Sequence, residues 1–153
     1  MPLAAGCNHV AMHTQDLDRL IAFYTEVFDA EVTLDMQEGP LRHALIDLGG
    51  GFCLHPFENA EGSDHAAGSD AMFDRGHLDH VAIDVSDVET FELLRDRLVA
   101  AGASDGTVTD FGAVRCVWFE DPDGMGSEIA IWSDGEPLDF DARRNEAYEP
   151  ARA

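Results

Sequence analysis

Asn8-His9-Val10-Ala11-Met12-His13 and Asp79-His80-Val81-Ala82-Ile83-Asp84 are one pattern written twice. Period-two alternation makes each a short strand, with His, Ala and a polar residue on one face and Val with Met or Ile on the other. The apolar face packs, and the other carries the histidine. A pattern repeated at half the chain length points to a duplicated unit.

Reading outward, each strand runs into a helix. Thr14-Gln15-Asp16 opens the first, and Leu17, Leu20, Ile21, Tyr24, Val27 and Phe28 form one apolar stripe. Ser86-Asp87-Val88-Glu89 is a capping box for the second, whose stripe Val88, Phe91, Leu94 and Leu98 ends at Gly102. Three strands are expected after each helix. In the first half they cover Glu31 to Met36, Leu41 to Leu48 and Phe52 to Phe57, with Gly39-Pro40 and Gly49-Gly50-Gly51 as turns. In the second they cover Gly106 to Asp110, Val114 to Glu120 and Gly126 to Trp132, separated by Phe111-Gly112 and Asp121-Pro122-Asp123-Gly124.

The expected organisation is a single α+β domain over 1–153 built from two βαβββ modules, 7–57 and 78–133. Between them 58–77, rich in Gly, Ser, Asp and Ala and without periodicity, is a linker or lid loop. Residues 134–153 are polar, with Pro137 and Pro150, and are expected to be a tail or an arm that packs on a partner.

The 153 residues suffice to bury a shared core, and a hydrophobic fraction of 45% excludes intrinsic disorder. Nine Lys and Arg, all of them Arg, against 31 acidic residues give a charge of -22. That field repels nucleic-acid phosphates and anionic membranes and describes a solvated acidic surface. Cys7, Cys53 and Cys116 form no C-x-x-C pair and no even framework, so buried thiols in a reducing compartment are expected. No signal-peptide pattern opens the sequence and no apolar run approaches a membrane span, so the expected location is cytoplasmic.

Pseudo-symmetry places equivalent residues opposite one another, and His9 pairs with His80. Glu128 lies 48 residues after His80 and His55 lies 46 after His9, each at the start of a strand behind a Gly-containing turn. Glu128, Ala130 and Trp132 share one strand face, while Ile129 and Ile131 share the other. Taken singly, a His or Glu on a strand is more often a hydrogen-bonded or half-exposed residue than a ligand. Placed together by one repeat, two neutral imidazoles and an inward carboxylate suit a divalent ion, which also removes the cost of an unpaired buried charge. His55 is the fourth candidate, although Pro56 removes a donor beside it and can distort the strand. His13, His43, His65 and His77 are read as ordinary polar residues. Arg42 and Arg115, each 13 residues before its half's late ligand position, are candidate anchors for a substrate carboxylate or phosphate. Ion pairing with the abundant acids is the competing assignment.

These residues resemble the vicinal oxygen chelate superfamily, which includes lactoylglutathione lyase, extradiol dioxygenases, methylmalonyl-CoA epimerase, fosfomycin-resistance transferases and bleomycin-binding proteins. The resemblance covers roughly residues 7 to 133. It rests on His9 with Asp16-Leu17 and Phe23-Tyr24 through Val27-Phe28, on His80-Val81-Ala82-Ile83, and on Glu120-Asp121-Pro122-Asp123-Gly124 followed by Glu128. It implies paired, curved mixed sheets around a metal-binding groove, with ligands from the first and fourth strands of each module: His9, His55, His80 and Glu128. It also implies homodimers, in which modules can be exchanged between chains. The stretch Leu48 to His55 matches one that ends in a liganding Glu in glyoxalase-like members; His55 in its place is a departure from plain lactoylglutathione lyase.

The function expected is metal-dependent: one divalent ion (Ni, Zn, Mn or Fe) chelates a small oxygenated substrate for an isomerase-, lyase- or epimerase-type proton shift. Glu128, or His55 released from the ion, is the expected base. Two alternatives are a ferrous ring-cleaving dioxygenase using His9, His80 and Glu128 as a facial triad, and a non-catalytic drug- or metabolite-binding protein of the bleomycin-resistance type.

Overall fold

The computed structural model of the protein describes residues 7–59, 78–133, 137–139, 141 and 143–149, in two compact units that divide the chain at 67/68. The expected linker or lid lies outside the described residues, His65 and His77 included, except for Glu58 and Asn59, which continue a strand.

In the first unit the order is β1 (His9–Thr14), α1 (Leu17–Phe28), β2 (Glu31–Glu38), β3 (Leu41–Asp47) and β4 (Cys53–Asn59). The sheet runs β1-β4-β3-β2, with β1 parallel to β4 and the other neighbours antiparallel. α1 begins where the Asp16 carboxylate accepts the Arg19 N–H at 2.9 Å, and Glu58 of β4 accepts the Leu17 N–H at 2.7 Å. Asp29, at φ 54°, ends it in the left-handed conformation that an aspartate tolerates. Its stripe of Leu17, Leu20 and Tyr24 is buried on Ala44, Ile46 and Leu54 of the sheet, flanked by Val10 and Met12.

The second unit repeats this plan with β5 (Val81–Asp84), α2 (Val88–Ala100), β6 (Val108–Asp110), β7 (Val114–Glu120) and β8 (Gly126–Trp132). The sheet order is β5-β8-β7-β6, continued past β6 by the short strand β9 (Arg144–Glu146), again with one parallel pair, β5 with β8. Phe91, Leu94 and Leu98 of α2 are buried, as are Val117, Phe119, Ile129 and Ile131. The α+β class and the two βαβββ modules are as the sequence implied.

Three details differ from expectation. The cap of α2 is Asp87, whose carboxylate accepts the Thr90 N–H at 2.8 Å, rather than Ser86; a charged acceptor serves the positive helix end better than a hydroxyl. Val88, expected in the apolar stripe, is 56% exposed in the first turn. The tail contributes a strand to its own unit: β9 (Arg144–Glu146) pairs antiparallel with β6. Its three residues are polar and exposed, so no alternation could announce it.

Candidate metal centre

Strand register decides which side chains share a face. β1 and β4 pair Ala11 with His55, and β5 and β8 pair Ala82 with Glu128. His9 and His80 each precede the paired alanine by two residues and therefore lie on its face. Within each unit, the histidine at the head of the first strand, within β1 for His9 and one residue before β5 for His80, thus shares the sheet surface opposite the helix with the late ligand candidate. In the second unit His80 Nε2 stands 3.9 Å from Glu128 Oε1, with 36% and 22% of the side chains exposed. That is wider than a hydrogen bond and no farther than two atoms about 2.1 Å from a shared ion can be. In the first unit the rings of His9 and His55 lie 5.6 Å apart.

The tautomers of the opening histidines are set in the same way twice. His9 Nδ1 is 2.8 Å from Asn8 Oδ1, and His80 Nδ1 is 2.7 Å from Asp79 Oδ2. An oxygen acceptor there requires an N–H, so the neutral ring keeps its lone pair on Nε2. This is the arrangement in which a metal-binding imidazole is ordinarily oriented. The donor set of each unit fits half of a divalent site.

The four expected ligands are brought together as two pairs, one per unit. Among the described residues no group of three or more His, Cys, Asp or Glu is gathered so as to hold an ion.

His43, read from the sequence as an ordinary polar residue, touches this site. Its Nδ1 is 3.0 Å from His55 Nε2, and its ring stacks on Phe57 at 5.2 Å and 13°. Phe57 in turn lies 4.2 Å from the His55 ring. Burial, then the neighbouring His43 and His9, hold the His55 pKa below its ordinary value, which favours the neutral ring a metal needs. Pro56 stays within β4, buried; the β3–β4 ladder pairs His43 with Phe57 and Ile46 with Leu54 but shows no pairing between them. Cys116 is the counterpart of His43, since 55 − 43 and 128 − 116 both equal 12. Burial, followed by the charge and hydrogen bond of Glu128, pushes its thiol up to about 12. An equal count from the late ligands would have found both residues.

Arg42 and Arg115 occupy matching positions, but their contacts are those of ion pairing. Arg42 alternates with Ala44 and Ile46 on the helix side, makes a bidentate pair with Asp35 at 3.0 and 2.8 Å, and reaches Asp18 at 2.8 Å. The Arg42 bond holds the Asp35 carboxyl below the usual range. Arg115 lies over the Phe91 ring at 5.5 Å, near Glu92 and Glu146. Facing, which spacing alone does not determine, separates both guanidiniums from the histidine face.

Trp118 pairs with Glu128, stands edge-on to His80 at 5.4 Å, and covers Gly126, where a Cβ would come within 2.5 Å of the indole. The indole needs that glycine to lie flat. Beyond it opens a hollow of about 420 Å³ lined by Ser104, Asp105, Thr107, Thr109 and Glu120.

Residues 6–129 match the Glyoxalase/Bleomycin resistance protein/Dioxygenase superfamily. The chain belongs to this superfamily. A glyoxalase/bleomycin resistance protein/dioxygenase domain from Frankia sp. EAN1pec is 26% identical, with a TM-score of 0.69 over 86% of this chain and 95% of that one. Lactoylglutathione lyase from Agrobacterium tumefaciens is 22% identical, with a TM-score of 0.57 over 85% and 96%. The fosfomycin resistance protein FosX from Listeria monocytogenes is 18% identical, with a TM-score of 0.61 over 86% and 97%. At such identities the last two share the fold and carry no substrate across. No curated protein sequence matches the chain. Among the described residues of this superfamily member, no helix is long and apolar enough to cross a membrane.

Proposed function

We propose that this superfamily member is a metal-dependent enzyme in which His9, His55, His80 and Glu128, drawn from the two modules of one chain or of two, hold one divalent ion. The reaction is a proton shift of the isomerase, lyase or epimerase type on a small substrate with adjacent oxygens. The observation that carries this reading is the twice-repeated half-site: an imidazole with Nδ1 hydrogen-bonded to the preceding side chain and Nε2 left as the donor, beside a second candidate ligand. Three imidazoles and one carboxylate suit Zn, Ni or Fe better than an oxygen-preferring ion.

The bound ion would supply Lewis acidity to charge developing on a substrate oxygen. Glu128 is the one carboxylate of the set and takes the proton from carbon and returns it. His55, kept neutral by its surroundings, adds no charge to the first-module side. Trp118 screens His80 from water on one side. With Asp105 and Glu120 at the hollow and both arginines held by acids, the remote part of the substrate is a neutral or cationic polar group.

A second reading has one observation in its favour: the His43 bond occupies His55 Nε2. Were His55 kept off the ion, His9, His80 and Glu128 would compose a facial triad for oxygen-dependent ring cleavage. Elemental analysis and oxygen uptake separate the two. The first reading expects a content of about one ion per chain, lost in Glu128→Gln with the fold retained. It also expects no oxygen consumption with catechols under ferrous iron. Failure to bind nickel, zinc, manganese or iron overturns both.

A further inference from the structure

The three histidines assigned to the ion differ in which ring nitrogen is already engaged. His9 and His80 use Nδ1, toward Asn8 and Asp79. His55 uses Nε2, toward His43 Nδ1. A neutral imidazole has one N–H and one lone pair, so the engaged nitrogen determines which atom can be a ligand.

We propose that His43 is a positioning residue that accepts the Nε2–H of His55 and thereby turns His55 into an Nδ1 ligand, whereas His9 and His80 bind through Nε2. This rests on the metal-dependent reading above. Two proton arrangements satisfy the His43–His55 contact. If His43 donates, His55 carries its proton on Nδ1 and has no lone pair for an ion. If His55 donates, Nδ1 is free, and His43 serves as the outer acceptor that metal-bound imidazoles nearly always have. Binding of the ion selects the second arrangement. The His43 ring is set for this by stacking on Phe57, which also touches the His55 ring, so both imidazoles are oriented before an ion arrives.

The repeat supports the assignment independently. Twelve residues before the late ligand, each module places a side chain on that ligand's face of the neighbouring strand: His43, which touches His55, and Cys116, two residues from the Trp118 that pairs with Glu128.

The test uses the full chain with 15N-labelled histidine and 113Cd2+ as the probe ion, read by NMR couplings between cadmium and individual ring nitrogens, with calorimetry for affinity. Coupling is expected to Nδ1 of His55 and to Nε2 of His9 and His80. His43→Ala should weaken cadmium binding about 10–100-fold, and His43→Gln, whose amide oxygen can still accept, should recover most of it. Coupling to Nε2 of His55, absence of coupling at His55 alone, or unchanged affinity in His43→Ala overturns this inference and leaves the metal reading standing. Absence of coupling at His9 and His80 as well overturns both. The parent protein alone decides the nitrogen, so a variant that fails to fold does not block the result.

Discussion

At the scale of single residues, the repeat made His9, His80 and Glu128 legible, because register fixes a face and alternation fixes a direction. His43 was not legible: its relation to His55 depends on the antiparallel pairing of β3 with β4, which no local pattern reports. Arg42 and Arg115 were found by spacing, but their carboxylate partners come from other elements, so their contacts were not. Cys116 is buried and its thiol is raised to about 12, so it should resist alkylation in the native protein at pH 8, while exposed Cys7 reacts. Mass spectrometry after iodoacetamide, with and without denaturant, checks this; native labelling of Cys116 would refute the contact. His55 gives a pH prediction for metal-free protein. Its folded pKa lies below the ordinary 6.5, so as pH falls the unfolded chain takes up this proton first. Its contribution to stability is therefore complete above that value, declines as pH drops below 6.5, and levels off once the folded pKa is passed. The thermal midpoint should fall less steeply between pH 7.5 and 5.5 in His55→Gln than in the parent, and equal slopes would remove His55 as a cause.

At the scale of elements, the two strands that flank the Asp121-Pro122-Asp123-Gly124 turn, β7 and β8, were read to the residue, whereas β9 was missed because its pairing is enforced from elsewhere. The enforcing group is Arg95, a buried arginine on α2 whose Nε donates to the Gly106 carbonyl at 2.7 Å. Its Nη2 reaches the carbonyls of Glu146 and Ala147, and its Nη1 the carboxylates of Glu92 and Glu146. One side chain ties the helix to the strand entry and to the C-terminal strap. Gly106 permits the approach: its φ is +72°, and a Cβ there would stand 2.6 Å from Val99 and 2.8 Å from Tyr148. Arg95→Met keeps much of the apolar stem but leaves the Gly106 carbonyl without its charged donor, and should cost about 1.5–3 kcal/mol in urea unfolding. The strap should loosen with it, seen as faster amide exchange at 144–148 while exchange in α1 is unchanged. Equal loss of protection in both modules would mean that the effect is global and that Arg95 is not a local tie.

At the scale of the whole molecule, duplication was the most legible property and charge the most easily misassigned. A charge of -22 without one lysine says nothing of the ligand set, yet it sets the conditions under which the fold is stable. Close pairs such as Arg42 with Asp35 use few of the 31 acids, since nine arginines cannot neutralise them. The remaining repulsion acts across the surface at low ionic strength, where the screening length is long, and shrinks as it falls to about 3 Å at 1 M salt. The thermal midpoint should therefore rise with sodium chloride, by about 2–4 °C for each 1 kcal/mol of repulsion relieved. Strengthened apolar burial at high salt predicts a rise too, so the discriminating variant removes charge without touching the core. Glu26, Glu31 and Glu38 are exposed, and none of them is a candidate ligand. Changing all three to Gln should raise the midpoint at low salt and make its salt dependence shallower, if repulsion is the cause. A triple variant with the parent's slope would assign the salt response to burial instead.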